Sequence, residues 1–249
     1  MIPLKDDNPT RRFPWVTVLL IAANVVVFVL IQRPYDRGLN HAAFTFEFAA
    51  IPCEVVTGEP LTSQEVVDTF EGDDQACRDD DGSGSREEFP NKQIYLAVLY
   101  SMFLHGSWLH IGGNMLFLWV FGNNIEDRMG TGPCLAFYVM AGLAAAAAHI
   151  AVQPGSSVPV VGASGAVAGV MGAYLVLFPN VRILTLIVFL FRDISAKWLL
   201  GVWFVSQFFV NPASGVAWVA HVGGFVFGVL VALLLRDRLR PEPERLSVE

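Results

Sequence analysis

The segment Val160-Val161-Gly162-Ala163-Ser164-Gly165-Ala166-Val167-Ala168-Gly169 places one hydroxyl at the head of a long apolar run, with glycine or alanine on almost every side. Two readings of it are open. A serine in an apolar helix can bond back to its own turn, and Gly165 and Gly169, one turn apart, form a small-residue face that lets helix backbones approach closely. On that reading the segment only packs. The other reading makes Ser164 a nucleophile, and it depends on polar groups set at matching depth in other segments.

Composition makes those other segments membrane spans. Of 249 residues, 54% are hydrophobic and 16% charged. Mean hydropathy is +0.51, too apolar for a soluble domain of this length. Several windows approach the roughly 20 apolar residues needed to cross a bilayer. The chain therefore reads as an all-α polytopic membrane protein, a bundle of six transmembrane helices at about 13–31, 107–125, 133–153, 159–178, 196–210 and 217–235. The first run follows Lys5, Arg11 and Arg12, but only Gln32-Arg33-Pro34 comes after it, with no small-residue cleavage site. It is expected to be a retained span. The apolar stretch 183–192, interrupted by Arg192, Asp193 and then Lys197, is read as a buried or interfacial connection. The expected organisation is an N-terminal segment 1–12, a first span 13–31, a long extracytoplasmic loop 32–92, a core 93–235 holding five spans, and a tail 236–249.

Lys and Arg mark the sides. They occur in the N-terminal segment, at Arg128, at Arg182, Arg192 and Lys197, and in the tail at Arg236, Arg238, Arg240 and Arg245. The turns Pro154–Pro159 and Asn211–Val216 have none. Both termini are thus expected in the cytoplasm, with the plasma membrane as the location. The net charge of −7 gives no reason to expect nucleic acid as a partner. Most of that acidity lies in the first loop, with fourteen acids against five bases.

Cys53 and Cys77 lie in that loop, in an oxidising compartment, and are expected to form a disulfide worth roughly 3 kcal/mol in the chain-entropy model; Cys134 is expected to be free. Asp79 to Phe89 looks like part of a calcium loop, with Asp79, Asp81, Gly82, Ser85 and Glu88 in register, but Cys77 stands at the first ligand position. It is read as an acidic linker rather than a metal site. Asn91 to Leu104 is amphipathic and expected to lie along the interface.

An ionisable group at membrane depth is a functional hypothesis by default. His110 and Asn114 fall within two turns of the outer start of the second span, Ser164 within two turns of the fourth, and His221 near the start of the sixth. At 1.5 Å rise per residue, all four lie within roughly 10 Å of one level. His110 and Asn114 are four apart and share a helix face. Gly224 and Gly228 repeat the spacing of Gly165 and Gly169, so the fourth and sixth helices can pack closely and bring Ser164 and His221 together. A histidine within reach of a serine hydroxyl can be its general base. No Asp or Glu lies at this depth, so a Ser–His dyad is the available arrangement. Donors for an oxyanion are the Ser164 N–H, Asn114 and His110.

These residues resemble the rhomboid family of intramembrane serine proteases. The resemblance is carried by Gly162-Ala163-Ser164-Gly165, by His110-x-x-x-Asn114 with His105 upstream, by Ala220-His221 with Gly224 and Gly228, and by Glu126-Asp127-Arg128 with Gly130. It spans about 95–235. It implies a six-helix core, Ser164 as nucleophile, His221 as base and then acid, and an oxyanion site of His110, Asn114 and the Ser164 N–H. Gly162, Gly165 and His105 would support the motifs. It further implies no cofactor and no metal, and as partners the lipid bilayer and single-pass membrane protein substrates cut in or near their transmembrane segments. Two positions depart from the pattern. Leu96-Ala97 replaces a Trp-Arg pair that many members carry. Ala168 stands where some members have an aromatic that packs on the histidine, so His221 needs another support.

A wet cavity open to the outside is expected, with a lateral path for substrate past the fifth helix, rich in Trp198, Trp203, Phe204, Phe208 and Phe209. The alternative is an inactive relative that binds transmembrane segments for trafficking or quality control. A transporter would lead one to expect internal repeats, and none is present.

Overall fold

The structure is a computed structural model that describes residues 1–35, 39–78, 86–211 and 215–239. It is mostly helical. The helices are α1 (Trp15–Val26), α2 (Leu39–Phe48), α3 (Pro52–Thr57), α4 (Ser63–Glu71), α5 (Ile94–Ser101), α6 (Trp108–Met129), α7 (Thr131–Val152), α8 (Ser164–Leu177), α9 (Ala196–Gln207), α10 (Trp218–Leu234) and α11 (Arg236–Leu239). Among the described residues two helical stretches are long and apolar enough to cross a bilayer by length and composition, Trp15–Tyr35, which continues α1, and α7; α8 and α10 are apolar but shorter.

The centre of the bundle is α8, buried along nearly its whole length. Its partner is α10, and glycine sets their separation. A Cβ added at Gly224 would overlap the Gly165 carbonyl oxygen, one at Gly228 the Gly169 carbonyl, and one at Gly172 the Phe225 carbonyl. Backbone therefore lies on backbone, as the small-residue spacing predicts. On the opposite flank, α7 offers Ala141 and Ala145, whose Cβ atoms would meet an added Cβ at Gly169 and Gly165 at 2.5 Å. Larger side chains fill the remaining space: Phe121 and Ile125 of α6, Tyr138 of α7, Met171 and Tyr174 of α8 and Leu200 of α9 are all essentially inaccessible.

The all-α expectation needs one correction. Residues Ile2–Asp6 (β1), Arg182–Ile187 (β2) and Leu190–Ser195 (β3) form an antiparallel sheet in the order β1-β2-β3. The stretch 183–192, read as a connection, is the β2–β3 hairpin, with Ile187 paired to Leu190 across a two-residue turn. Ile183 and Thr185 point inward while Arg182 and Leu184 do not, a period-two pattern easily mistaken for a broken apolar run. β1 is held by Asp6, whose carboxylate accepts hydrogen bonds from Tyr174 Oη at 2.6 Å and Asn124 Nδ2 at 2.7 Å. Burial pushes the Asp6 carboxyl above its ordinary range, and the Tyr174 hydrogen bond opposes that shift.

The same end of the bundle explains Glu126 and Asp127. Pro14 precedes α1 without providing a side-chain cap, so its first N–H groups need partners from elsewhere. Glu126 of α6 accepts from Val16 N–H, Thr17 N–H and Thr17 Oγ1, each at 2.9 Å. Asp127 accepts from the N–H groups of Arg11 and Arg12 at 3.0 Å.

Much of the acidic first loop is folded. Helices α2 to α4 pack around Phe46, Ile51, Cys53 and Leu61, and Cys53 and Cys77 form a disulfide while Cys134 is free, as expected. Glu54 and Lys92 make a buried ion pair. Burial pushes the Glu54 carboxyl up and the Lys92 ammonium down, and their mutual attraction opposes both shifts. The calcium-like positions 79–85 lie outside the described residues.

Alanine at Gly224 or Gly228 is expected to destabilise the protein by about 1–3 kcal/mol through overpacking. Gly132→Ala on α7, where an added Cβ meets nothing within 4 Å, is expected to be neutral or slightly stabilising. Thermal unfolding of the detergent-solubilised variants checks the contrast; equal melting temperatures for all three would refute the backbone-contact account.

Candidate active site

Ser164 is the first residue of α8, not a residue within its second turn. The expected span beginning near 159 is corrected here. The chain from Pro159 to Gly162 is non-helical, with Val160 in an isolated bridge, and Gly162 turns it at φ +125°, in the region that favours glycine. That backbone is tied by Val160 N–H to Ala50 O at 2.8 Å and by Gly162 N–H to Ser101 O at 2.8 Å. Ser101, the last residue of α5, also accepts on its Oγ from Ala50 N–H at 2.6 Å. One residue, through its hydroxyl and its backbone carbonyl, thus joins the folded loop to the approach to Ser164.

A cavity of about 800 Å³ opens beside this hydroxyl. Ser164, His221, His110 and Asn114 all line it, with His149, Gln153, Trp203 and Asp74. The sequence-derived set therefore converges on one space. Among the described residues no hydrogen bond joins Ser164 to His221.

Hydrogen bonds assign the imidazole protons. His110 sits in the first turn of α6, whose N-cap Ser107 accepts from His110 N–H at 3.1 Å. Its ring Nδ1 accepts from Gly106 N–H at 3.4 Å, which leaves the proton of the neutral ring on Nε2. That nitrogen faces Gly162 and Ser164: a Cβ added at Gly162 would lie 2.8 Å from His110 Nε2 and 3.5 Å from Ser164 Oγ. His221 has the opposite arrangement. Its Nδ1 donates to Gln207 Oε1 at 2.7 Å, so the lone pair is on Nε2. One ring can donate toward the serine and the other can accept.

Two further donors are unused. Asn114 Nδ2 is buried without a partner, and Ser164 N–H, in the first turn of a helix, has no intrahelical acceptor. Buried donors are rarely left so. His105 is fully buried behind this group. Its N–H donates to Gln32 Oε1 at 3.0 Å and its carbonyl accepts from Gln32 Nε2 at 2.7 Å, and its ring meets the His110 ring edge-on at 5.1 Å. Gly165 is the α7 and α10 contact described above.

Ala168 leaves His221 without an aromatic from α8, and α9 supplies the support. The Trp203 ring lies 6.0 Å from the His221 ring, in addition to the Gln207 bond. Trp203 was singled out from the sequence only as one of the aromatics of the fifth helix; Gln207 was not, and neither was His149, whose Nδ1 is buried without a partner. The depth criterion that found Ser164 finds both His149 and Gln207 when it is applied to the outer ends of the third and fifth helices.

Residues 92–238 match the family model of the Rhomboid domain, more than half of the chain, and the chain belongs to the rhomboid family. It is 28% identical over 164 residues to the mitochondrial Rhomboid protein 1 of Saccharomyces cerevisiae, covering 60% of this chain and 44% of that one. It is 31% identical over 149 residues to the mitochondrial presenilin-associated rhomboid-like protein of Mus musculus, covering 56% and 38%. To the rhomboid protease GluP of Bacillus subtilis it is 29% identical over 138 residues, covering 55% and 25%. The chain thus spans less than half the length of these relatives. The plasma-membrane expectation is corrected by them: the yeast and mammalian relatives are mitochondrial by name, and the similarity points away from the plasma membrane.

An oxyanion-donor role for the unpartnered Asn114 amide is tested by Asn114→Ala, for which that role predicts intact folding and a loss of about 10²–10³-fold in turnover of a hydrolysable acyl substrate, the usual cost of one such donor. Steady-state kinetics check it, and unchanged turnover would remove Asn114 from the site.

Proposed function

We propose that the chain is an intramembrane serine endopeptidase that hydrolyses peptide bonds in or near transmembrane segments of membrane proteins. Ser164 is the nucleophile and His221 its base. The observation that carries this reading is the pair of opposite ring tautomers beside one hydroxyl, with unused donors at Asn114 and the Ser164 N–H. The reading employs no metal and no cofactor.

The chemistry follows from those atoms. As Ser164 Oγ attacks the scissile carbonyl, its proton passes to His221 Nε2. The oxyanion that forms is met by His110 Nε2–H, Asn114 Nδ2–H and the Ser164 N–H. His221 then delivers the proton to the leaving amine, and water entering from the cavity hydrolyses the acyl-serine by the same steps. Closing the distance between Ser164 and His221 belongs to substrate binding, since catalytic hydrogen bonds often tighten only then.

The organisation that goes with this function is six crossings: 13–31, then five within 93–235 corresponding to α6 to α10, with both termini on one side. Membrane protein substrates enter from the bilayer past α9. That helix exposes Trp198, Val202 and Val205, with Phe208 exposed just after its end, and it rests on α10 through rings, Phe204 on Phe225 at 4.7 Å and Phe208 on Trp218 at 5.8 Å. Ring contacts separate more easily than the glycine seam between α8 and α10.

One observation favours a second reading, a relative that binds transmembrane segments without cutting them: the missing Ser164–His221 hydrogen bond. Incubation with a labelled single-pass substrate separates the two. Cleavage by the native chain, lost in both Ser164→Ala and His221→Ala, is expected, with a fluorophosphonate adduct on Ser164 that disappears in His221→Ala. Substrate capture without cleavage or adduct would favour the second reading, and cleavage by Ser164→Ala would refute the first. Crosslinking α6 to α9 is expected to block cleavage of the intact substrate.

A further inference from the structure

We propose that Gln207 is a positioning residue for His221: its amide holds the imidazole in the tautomer that can accept the Ser164 proton. The inference rests on the proposed dyad and adds a member to it.

Gln207 is the last residue of α9 and is buried, in a helix otherwise dominated by apolar groups. A buried amide is costly unless it is bonded. Here the bonds are directional. Gln207 Nε2 donates to Trp203 O at 3.1 Å and to Ser206 Oγ at 3.4 Å, which fixes the amide orientation and turns Oε1 outward. Oε1 can only accept. Its contact with His221 Nδ1 at 2.7 Å therefore requires a proton on Nδ1, and the Nε2 lone pair is left for the serine. Trp203, whose backbone carbonyl orients the amide, also lays its ring against His221. Both supports come from one helix.

In serine hydrolases with a triad, a carboxylate occupies the position beside the base, fixing the tautomer and stabilising the imidazolium. An amide does the first and little of the second. The other titratable groups around the cavity are His110 of α6 and His149 of α7, with Asp74 also on its lining. Among the described residues no carboxylate is hydrogen-bonded to His221. Installing one at Gln207 is thus a specific perturbation.

Because α9 is also the helix proposed to move aside for substrate, a displacement of α9 removes both supports from the base. His221 is then oriented only after α9 returns, which couples loading to chemistry.

The test uses the full chain in detergent with the labelled single-pass substrate. Gln207→Leu is expected to lower kcat by about 10–100-fold, the usual cost of losing an orienting partner, with KM within about twofold. Gln207→Glu is expected to retain turnover but to move the acid limb of the kcat/KM profile to higher pH by about one unit, since a neighbouring carboxylate favours imidazolium. Nitrogen NMR of ring-labelled histidine reads the tautomer directly, and the Nδ1-protonated signal of His221 should be lost in Gln207→Leu. A merely structural role would change the melting temperature and leave the acid limb and the ring signal unmoved, and that result would overturn the inference. Undiminished kcat in Gln207→Leu, with Ser164→Ala and His221→Ala inactive, would sink this inference alone. Cleavage by Ser164→Ala would sink the dyad beneath it.

Discussion

The contact between the backbones of α8 and α10 is the constraint from which the rest follows. Carbonyl oxygens of Gly165 and Gly169 occupy the space that side chains at 224 and 228 would need. In a bilayer the lipid is as apolar as the protein, so helices gain association mainly from close van der Waals packing and small residues at the seam. Here that seam fixes Ser164, at the start of one helix, relative to His221, one turn into the other. Ala141 and Ala145 of α7 close the opposite side of α8 in the same manner. The serine is thus carried by the most tightly held helix in the molecule.

The groups around it are held by different means. His110 is placed by a capped helix start and by His105, which Gln32 clamps from both sides of its backbone. The approach to Ser164 is held by Ser101 and by the disulfide-closed loop, through Cys53 N–H to Ser156 O and Ser157 N–H to Asp74 O, both at 3.0 Å. His221 is the exception. Its partners are an amide and an indole on α9, a helix that packs through rings rather than through backbone. Rigidity is therefore graded across the cavity, from the glycine seam to the aromatic face.

How much of this was legible in the sequence depends on the kind of signal. Helical periodicity put His110 and Asn114 on one face, small-residue spacing paired α8 with α10, and redox reasoning paired Cys53 with Cys77. The first two rest on local helix geometry that tertiary structure does not alter, and the third on the chemistry of the compartment together with there being two cysteines in the loop. The sheet was not legible, because β1 is five residues long and contains a proline, and its partners follow a segment that reads as apolar by mean hydropathy. Ser101 gave no signal because its role is to receive backbone N–H groups from residues 51 and 61 positions away. Gln207 and His149 are different. Their depth was readable, but attention to the motif helices passed over the two helices that carry no motif. The start of α8 was misplaced for a related reason: Pro159 to Ala163 is apolar enough to extend a span on hydropathy, whereas Gly162 at φ +125° and the backbone bonds of Val160 and Gly162 keep Pro159 to Gly162 out of the helix.

That misplacement bears on the chemistry. At 14 residues and 1.5 Å per residue, α8 is about 21 Å long, against a hydrocarbon thickness of about 30 Å. If its inner end lies near the membrane boundary, Ser164 sits several ångströms below the outer one, and the chain above it is non-helical. Irregular backbone at membrane depth is tolerated only where protein buries it or water reaches it. Val158 to Val161 meet both conditions: they line the 800 Å³ cavity and bond to Ala50 and, through Gly162, to Ser101. The short helix and the cavity above it are thus one structural fact. The proposed hydrolysis requires a nucleophile, a base and water at a depth where lipid supplies none of them. For that proposal, a helix that begins late would supply the first at its N-terminus, leave room for the third above it, and expose its own unpaired N–H groups to the developing charge.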